Sequence, residues 1–264
     1  MIQYSKFLQL CQGGLQKKKG FFMFWKNHFK KAVIFSYDDG NEQDVPLLML
    51  FQKYGLKGTF HVNTGLDYHH GTWLYQDKLW VHRLNLAESA ALYAGQEVAV
   101  HGRLHRNLTE LSAAELQEEL KGDISAITQI FGETPVGLSY AYGAYNQTVL
   151  RAVQQLGLRY GRGVVSTHRF DLPENLLEFQ PTCHHDDPML FELANQFLEM
   201  QPEKPQVFSI WGHSYELEGK GRWSQMERFL EYISGRADIF YGTCREVLVD
   251  WLQMGHEDDT YFTS

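Results

Sequence analysis

Residues 32–40 read AVIFSYDDG, a β-branched and aromatic run that stops at Asp38, Asp39 and Gly40. A short apolar run bounded by turn residues reads as a buried strand. The following PLLMLFQKYG reads as a short helix stopped at Gly55, and GTFHVNTG (58–65) as a second strand and turn. EVAVH (97–101) is a third strand. From Ser112 a helix is plain: Glu115 completes a capping box, and Leu116, Leu120, Ile124, Ile127 and Phe131 recur every three or four residues. The alternation continues through GLSYAY (137–142), a helix over Gln147–Leu156 capped by Asn146 and stopped by Gly157, and LRYGRGV (158–164). It goes on through helical LFELANQFLEM (190–200), the strand QVFSIWG (206–212), a helix with Met226, Phe229, Leu230 and Ile233, ADIFYG (237–242), and a last helix through Val247 and Trp251. About seven strand and helix pairs predict an α/β protein with one TIM-like barrel. An open doubly wound sheet is the alternative, because periodicity does not reveal closure. Residues 66–82, LDYHHGTWLYQDKLWVH, lack a clean period and read as a long loop or short irregular elements over one end of the fold.

The 264 residues allow one large domain or two small ones, and 44% hydrophobic with 14% aromatic residues supplies a sizeable core. The barrel reading assigns 32–252 to one domain, flanked by a basic extension at 1–31 and a tail at 253–264. The charge of −8 divides unevenly: residues 1–31 hold seven lysines and no acid, leaving 17 basic against 32 acidic residues, or −15, for the rest. Lys17, Lys18 and Lys19 read as a solvated extension, and Met23 is a possible alternative start. Three scattered cysteines, Cys11, Cys183 and Cys244, form neither a disulfide framework nor a zinc knuckle. With no run of 18 apolar residues and no signal-peptide pattern, the expectation is a cytoplasmic protein without a transmembrane segment. No phosphate loop or deaminase-type zinc spacing is present, and nothing points to nucleic acid.

The chemistry gathers where strands end. Asp38 and Asp39 follow the first strand, and HGRLH places His101 and His105 four residues apart after EVAV. Alone, an aspartate pair before glycine suits a turn or cap, and an HxxxH pair suits two helical neighbours. Together, two neutral imidazoles and one carboxylate would bind a divalent ion with positions left open, while the other carboxylate accepts a proton from water. His213 ends the strand VFSIWG and could donate a proton to a departing nitrogen or oxygen. His184, His185, Asp186 and Asp187 in TCHHDDP suit a polar loop or a role at the edge of the substrate.

These residues resemble the polysaccharide deacetylase family, also called NodB-homology or carbohydrate esterase family four, over about residues 32–252. The resemblance implies a distorted (β/α)7 barrel. SYDDG resembles the family's usual TFDDG, which implies Asp38 as general base and Asp39 as metal ligand. HGRLH resembles HSxxH, which implies His101 and His105 as the remaining ligands. The late leucine-x-histidine motif is similar to IWGH, with His213 as catalytic acid and Trp211 in place of leucine. The third motif departs: SYAYG puts Ser139 at the usual arginine and Ala141 at the usual proline, while Tyr142 aligns with the aromatic residue whose backbone N–H helps hold the oxyanion. Arg162, at the end of the next strand, is a candidate source of the missing positive charge, and Tyr215 and Trp211 are candidates to line a sugar pocket.

The implied activity is metal-dependent removal of an acetyl group from an N-acetylated amino sugar or oligosaccharide, with one divalent ion, zinc first. The same centre would also serve an O-acetyl esterase or a small-molecule amidohydrolase. A noncatalytic carbohydrate-binding barrel is the reading from another class.

Overall fold

The computed structural model describes residues 21–24, 29–250 and 253–256. Most of the basic extension, Lys17–Lys19 included, and Cys11 and Trp251 therefore lie outside the described residues. Twelve strands are described: β1 (Phe21–Phe24), β2 (Lys31–Asp38), β3 (Thr59–Val62), β4 (Trp73–Tyr75), β5 (Leu79–Val81), β6 (Glu97–Val100), β7 (Gly137–Ser139), β8 (Tyr160–Arg162), β9 (Cys183–His184), β10 (Gln206–Gly212), β11 (Phe240–Tyr241) and β12 (Gln253–His256). The helices are α1 (Asp44–Tyr54), α2 (Leu86–Ser89), α3 (Ala113–Phe131), α4 (Gln147–Gln155), α5 (Leu190–Glu199), α6 (Ser214–Gly219) and α7 (Trp223–Ile233).

Every residue of β2 is buried, as its apolar AVIF stretch leads one to expect of a strand covered on both faces. Parallel β10 pairs with it over Gln206–Gly212, and β3 pairs with its second half on the other side. The hydrogen-bonded order is β8-β7-β6-β3-β2-β10-β9, with β11 beside the first half of β2. Closure comes from Phe179–His184. Phe179 exchanges backbone bonds with Gly161 and Gly163 of the β8 side, while the Thr182 N–H donates to Ser209 of β10 at 2.9 Å. That segment curls the sheet into the distorted (β/α)7 barrel and removes the open-sheet alternative. β1 and β12 form a separate antiparallel pair.

The helix signals act as read. Ser112 and Glu115 form the capping box of α3, Asn146 accepts from the Thr148 and Val149 N–H groups at the start of α4, and Gly55 ends α1 at φ 64°. One expectation needs correction: residues 66–82 carry a β-hairpin. Trp73–Tyr75 and Leu79–Val81 pair antiparallel around Gln76 and Asp77, both at positive φ, and the Lys78 N–H closes the turn on the Tyr75 carbonyl. The turn is of the hairpin type, yet Gln-Asp lacks the usual glycine or asparagine signal, and three-residue strands are too short to show a period. The last helical segment is a π-type turn at Glu246–Asp250. Cys183 and Cys244 are free and buried, and no helix among the described residues is long and apolar enough to cross a membrane.

Candidate metal centre

Parallel strands place their C-terminal ends on one face of a barrel, and that topology brings Asp38 and Asp39 (β2), His101 (β6), Ser139 (β7), Arg162 (β8) and His213 (β10) together. Asp39 holds φ 85° beyond the strand end, its N–H bonded to the His61 carbonyl at 2.9 Å. His101 and His105 do not share a helix. His105 sits in a loop at φ 55°, held by Glu119, whose Oε1 accepts from the Leu104 and Arg106 N–H groups at 2.7 and 3.3 Å.

Asp39 Oδ1 lies 3.8 Å from His101 Nε2 and 3.7 Å from His105 Nε2. All three residues offer an atom within 4.8 Å of the others. His101 Nδ1 faces the Ser139 carbonyl at 3.0 Å and Ser139 Oγ at 2.6 Å. That assigns the proton to Nδ1 and leaves the Nε2 lone pair aimed at Asp39, buried and without a hydrogen-bond partner. A buried, unpartnered imidazole nitrogen beside a carboxylate and a second imidazole fits a divalent cation. Burial, then the neighbouring His101, lowers the His105 pKa to about 4, so the imidazole is neutral and able to ligate at ordinary pH.

Asp38 is held differently. Its Oδ1 is ion-paired with Arg162 Nη2, accepts from Ser139 Oγ at 3.0 Å and lies 3.4 Å from His61 Nδ1. Oδ2 faces His101 Nε2 at 3.9 Å. Burial opposes ionisation, but the Arg162 charge, His101 and the His61 hydrogen bond outweigh it and hold the carboxyl well below its ordinary range. Arg162 is fully buried, donates through Nε to Ser36 and through Nη1 to the Gly163 carbonyl, and lies 4.8 Å over the Trp211 ring.

His213 Nε2 is 3.9 Å from Asp39 Oδ2, and its Nδ1 is 3.3 Å from Glu216 Oε2. Burial would lower its pKa, but the Glu216 hydrogen bond and the two aspartates raise it above the ordinary value. Glu216 also meets His184 Nε2 at 2.9 Å and His185 Nε2 at 3.4 Å, and Gly212 leaves the His185 ring its room, since a Cβ there would come within 2.3 Å of Nδ1. Lys220 and Arg222 pair with Asp186, and Lys220 reaches Glu216 at 3.5 Å. This second His and carboxylate cluster is thus an ion-pair network already supplied with cations. Asp187 pairs with His168 and accepts from the Met189 N–H. Trp211 and Tyr215 flank the His213 ring at 5.7 and 5.1 Å, and Trp73 and Tyr75 of the hairpin meet Tyr215 edge-on. Tyr142 lies at φ 60° in the Ala141–Gly143 turn, its exposed ring 4.8 Å from that of His105.

Sequence reading missed three participants. Glu216 carried a usable signal, the glutamate three residues after His213 that closes a capping box there. Asn63 and Arg83 carried none: Arg83 follows the hairpin and bonds Asp39 from 44 residues away.

The polysaccharide deacetylase profile matches residues 26–161, just over half the chain. The chain belongs to the polysaccharide deacetylase family. Solved structures agree on the fold. A family 4 carbohydrate esterase from Streptomyces lividans, in complex with acetate, is 18% identical with a TM-score of 0.55 over 85% of this chain and 98% of its own. The Puue allantoinase is 15% identical with a TM-score of 0.58 over 83% and 89%. BA3943 from Bacillus anthracis, a pseudoenzyme of the same esterase family, is 16% identical with a TM-score of 0.51 over 83% and 66%. No curated protein gives a significant match. Membership of the polysaccharide deacetylase family therefore comes with a fold that also carries a protein described as an allantoinase and one described as a pseudoenzyme, and turnover has to be argued from the site.

Proposed function

We propose that the protein is a metal-dependent deacetylase that hydrolyses the acetyl group of an N-acetylated amino sugar or oligosaccharide. The observation that carries this reading is the unpartnered His101 Nε2, buried beside Asp39 and His105 within one cluster. Asp39, His101 and His105 would hold the ion, zinc first, which supplies polarisation of the acetyl carbonyl and acidification of water. Asp38 takes the proton from the attacking water at Oδ2, because Oδ1 is committed to Arg162 and Ser139. His213, steadied by Glu216 at Nδ1, gives a proton from Nε2 to the departing nitrogen. The Tyr142 backbone N–H supports the developing oxyanion, and Trp211 and Tyr215 wall the sugar. Acetate and a free amine leave.

The deciding experiment is acetate release from a panel of acetylated mono- and oligosaccharides before chelation, after it, and after single-metal addition. Activity lost on chelation and restored by zinc, with free amine as co-product, is the expected result. Alcohol as co-product would make the protein an O-acetyl esterase, and release only from non-sugar amides would make it an amidohydrolase. Sugar binding without acetate release in the zinc-loaded protein would leave a binding barrel.

The pH profile follows from the same groups. His105 stays neutral down to about pH 4, and Asp38 is held well below the ordinary carboxylate range, so proton competition on the acid side begins with His105. His213 acts in its protonated form, and its pKa is raised, so activity is full below that value and falls as pH rises through it. We expect kcat/KM to hold through the ordinary imidazole range and to decline above it. His213→Gln should flatten the alkaline limb at a much lower rate, and an unchanged limb would remove His213 from the acid role.

A further inference from the structure

We propose that Arg83 is a resident counter-ion of the metal centre, holding Asp39 in place when no ion is bound and weakening the grip of the site on the ion. This rests on the metal-site reading above. The hairpin delivers the residue to a fixed place. Arg83 bridges to Asn41, the neighbouring Leu84 N–H bonds the Gly40 carbonyl at 2.9 Å, and the Glu42 N–H bonds the His82 carbonyl at 3.0 Å. Its side chain is buried over the Trp73 ring, in space that Gly71 leaves open, since a Cβ there would come within 2.5 Å of Arg83 Cδ.

The guanidinium spans both loops that carry candidate ligands. Nη2 donates to Asp39 Oδ1 at 2.9 Å, and Nη1 donates to the Asp39 carbonyl and to Asn63 Oδ1. Asn63 in turn donates through Nδ2 to the carbonyls of His101 and Gly102 at 3.0 and 2.7 Å. Arg83 Nε is buried without a partner.

Charge decides what this arrangement does. Asp38 is matched by Arg162, Asp39 by Arg83 and a protonated His213 by Glu216, so with His101 and His105 neutral the centre sums to zero before any ion enters. The oxygen that Arg83 holds, Oδ1, is the one nearest both His101 and His105. A divalent ion bound by those residues must therefore share that carboxylate with a guanidinium, and two cations on one buried carboxylate repel. Without Arg83, Asp39 would be a buried carboxylate lacking its nearest cation, which destabilises the ion-free protein and makes the ion a stronger stabiliser. Both effects tighten binding. The opposing effect, loss of an outer partner that orients a ligand, commonly weakens binding by about 10–100-fold, so the sign of the change separates the two roles.

The test is zinc affinity of the full chain by competition with a chromophoric chelator, alongside Tm with and without zinc, for Arg83→Met and Arg83→Lys. Arg83→Met is expected to bind zinc at least about tenfold more tightly, by loss of the repelling charge. It should also show a lower zinc-free Tm and a larger rise on loading. Arg83→Lys keeps the charge but loses the fork that holds the Asp39 and Asn63 oxygens, and should tighten zinc binding clearly less than Arg83→Met. Where Arg83→Met does not fold without zinc, Arg83→Gln, whose amide can still donate to Asp39, takes its place. Weaker or unchanged binding in the folded variant overturns the proposal, as does tightening in Arg83→Lys as large as in Arg83→Met. A natural chain that binds no zinc overturns the metal reading itself, a separate outcome.

Discussion

Asp38→Asn is expected to lower kcat by about 10²–10⁴-fold while zinc still binds, and His101→Ala to lose both zinc and turnover, by at least about 10³-fold in kcat/KM. The contrast follows from how the two aspartates are held. Asp38 has one oxygen saturated by Arg162, Ser139 and His61 and directs the other towards His101, so an amide there keeps the shape and loses the basic oxygen. His101 spends Nδ1 on Ser139 and has only Nε2 for a ligand, so truncation removes a donor that no neighbour replaces. Asp38→Asn also strips the fully buried Arg162 of its counter-charge, a change that costs about 3–5 kcal/mol when one partner of a buried pair is lost. Tm and zinc affinity therefore need to be measured on the same samples. An Asp38→Asn protein that folds, binds zinc and keeps its full rate would remove Asp38 from the base role.

The parts of the site legible from sequence are those where local pattern and tertiary position coincide. A strand buried along its whole length is mostly apolar, as AVIF is here, so the two aspartates after Tyr37 stand out as a departure at a strand end, and the same logic exposed His101 after β6 and His213 after β10. What could not be read is what the barrel brings together across strands. Arg83 reaches Asp39 because a hairpin folds over the mouth, and that hairpin hides behind a Gln76-Asp77 turn and two three-residue strands. His184 and His185 look like one loop cluster with Asp186 and Asp187, yet the structure divides them: the histidines and Asp186 join the Glu216, Lys220 and Arg222 network, while Asp187 serves His168 and the approach to α5. Adjacent side chains near a strand end point in different directions, and spacing alone does not say which turns inward.

Ser139 and Arg162 give the second large effect. Ser139 stands where the family usually has arginine, which left the setting of Asp38 open. The register answers it: Ser139 of β7 pairs directly with Arg162 of β8, so the guanidinium reaches Asp38 from the neighbouring strand, while the small Ser139 hydroxyl donates to the same Oδ1. Both side chains meet the same Asp38 oxygen, so an arginine at 139 would compete with Arg162 for it. Arg162→Met is therefore expected to destabilise the protein by about 3–5 kcal/mol, since Asp38 is left as an uncompensated buried charge. It should also raise the pKa of Asp38 from its depressed value, because the largest opposing influence on its desolvation is gone. The sign is fixed by that shift. Asp38 must be ionised to act, so raising its pKa moves the acid limb of kcat/KM towards neutrality, whereas a purely structural loss would lower Tm and leave the limb where it was. The double change Ser139→Arg with Arg162→Ser returns a guanidinium to the neighbouring strand position, and recovery of both Tm and the acid limb is the expected outcome. Recovery of neither, with Arg162→Met showing an unshifted limb, would mean that Arg162 braces the barrel and does not tune the aspartate.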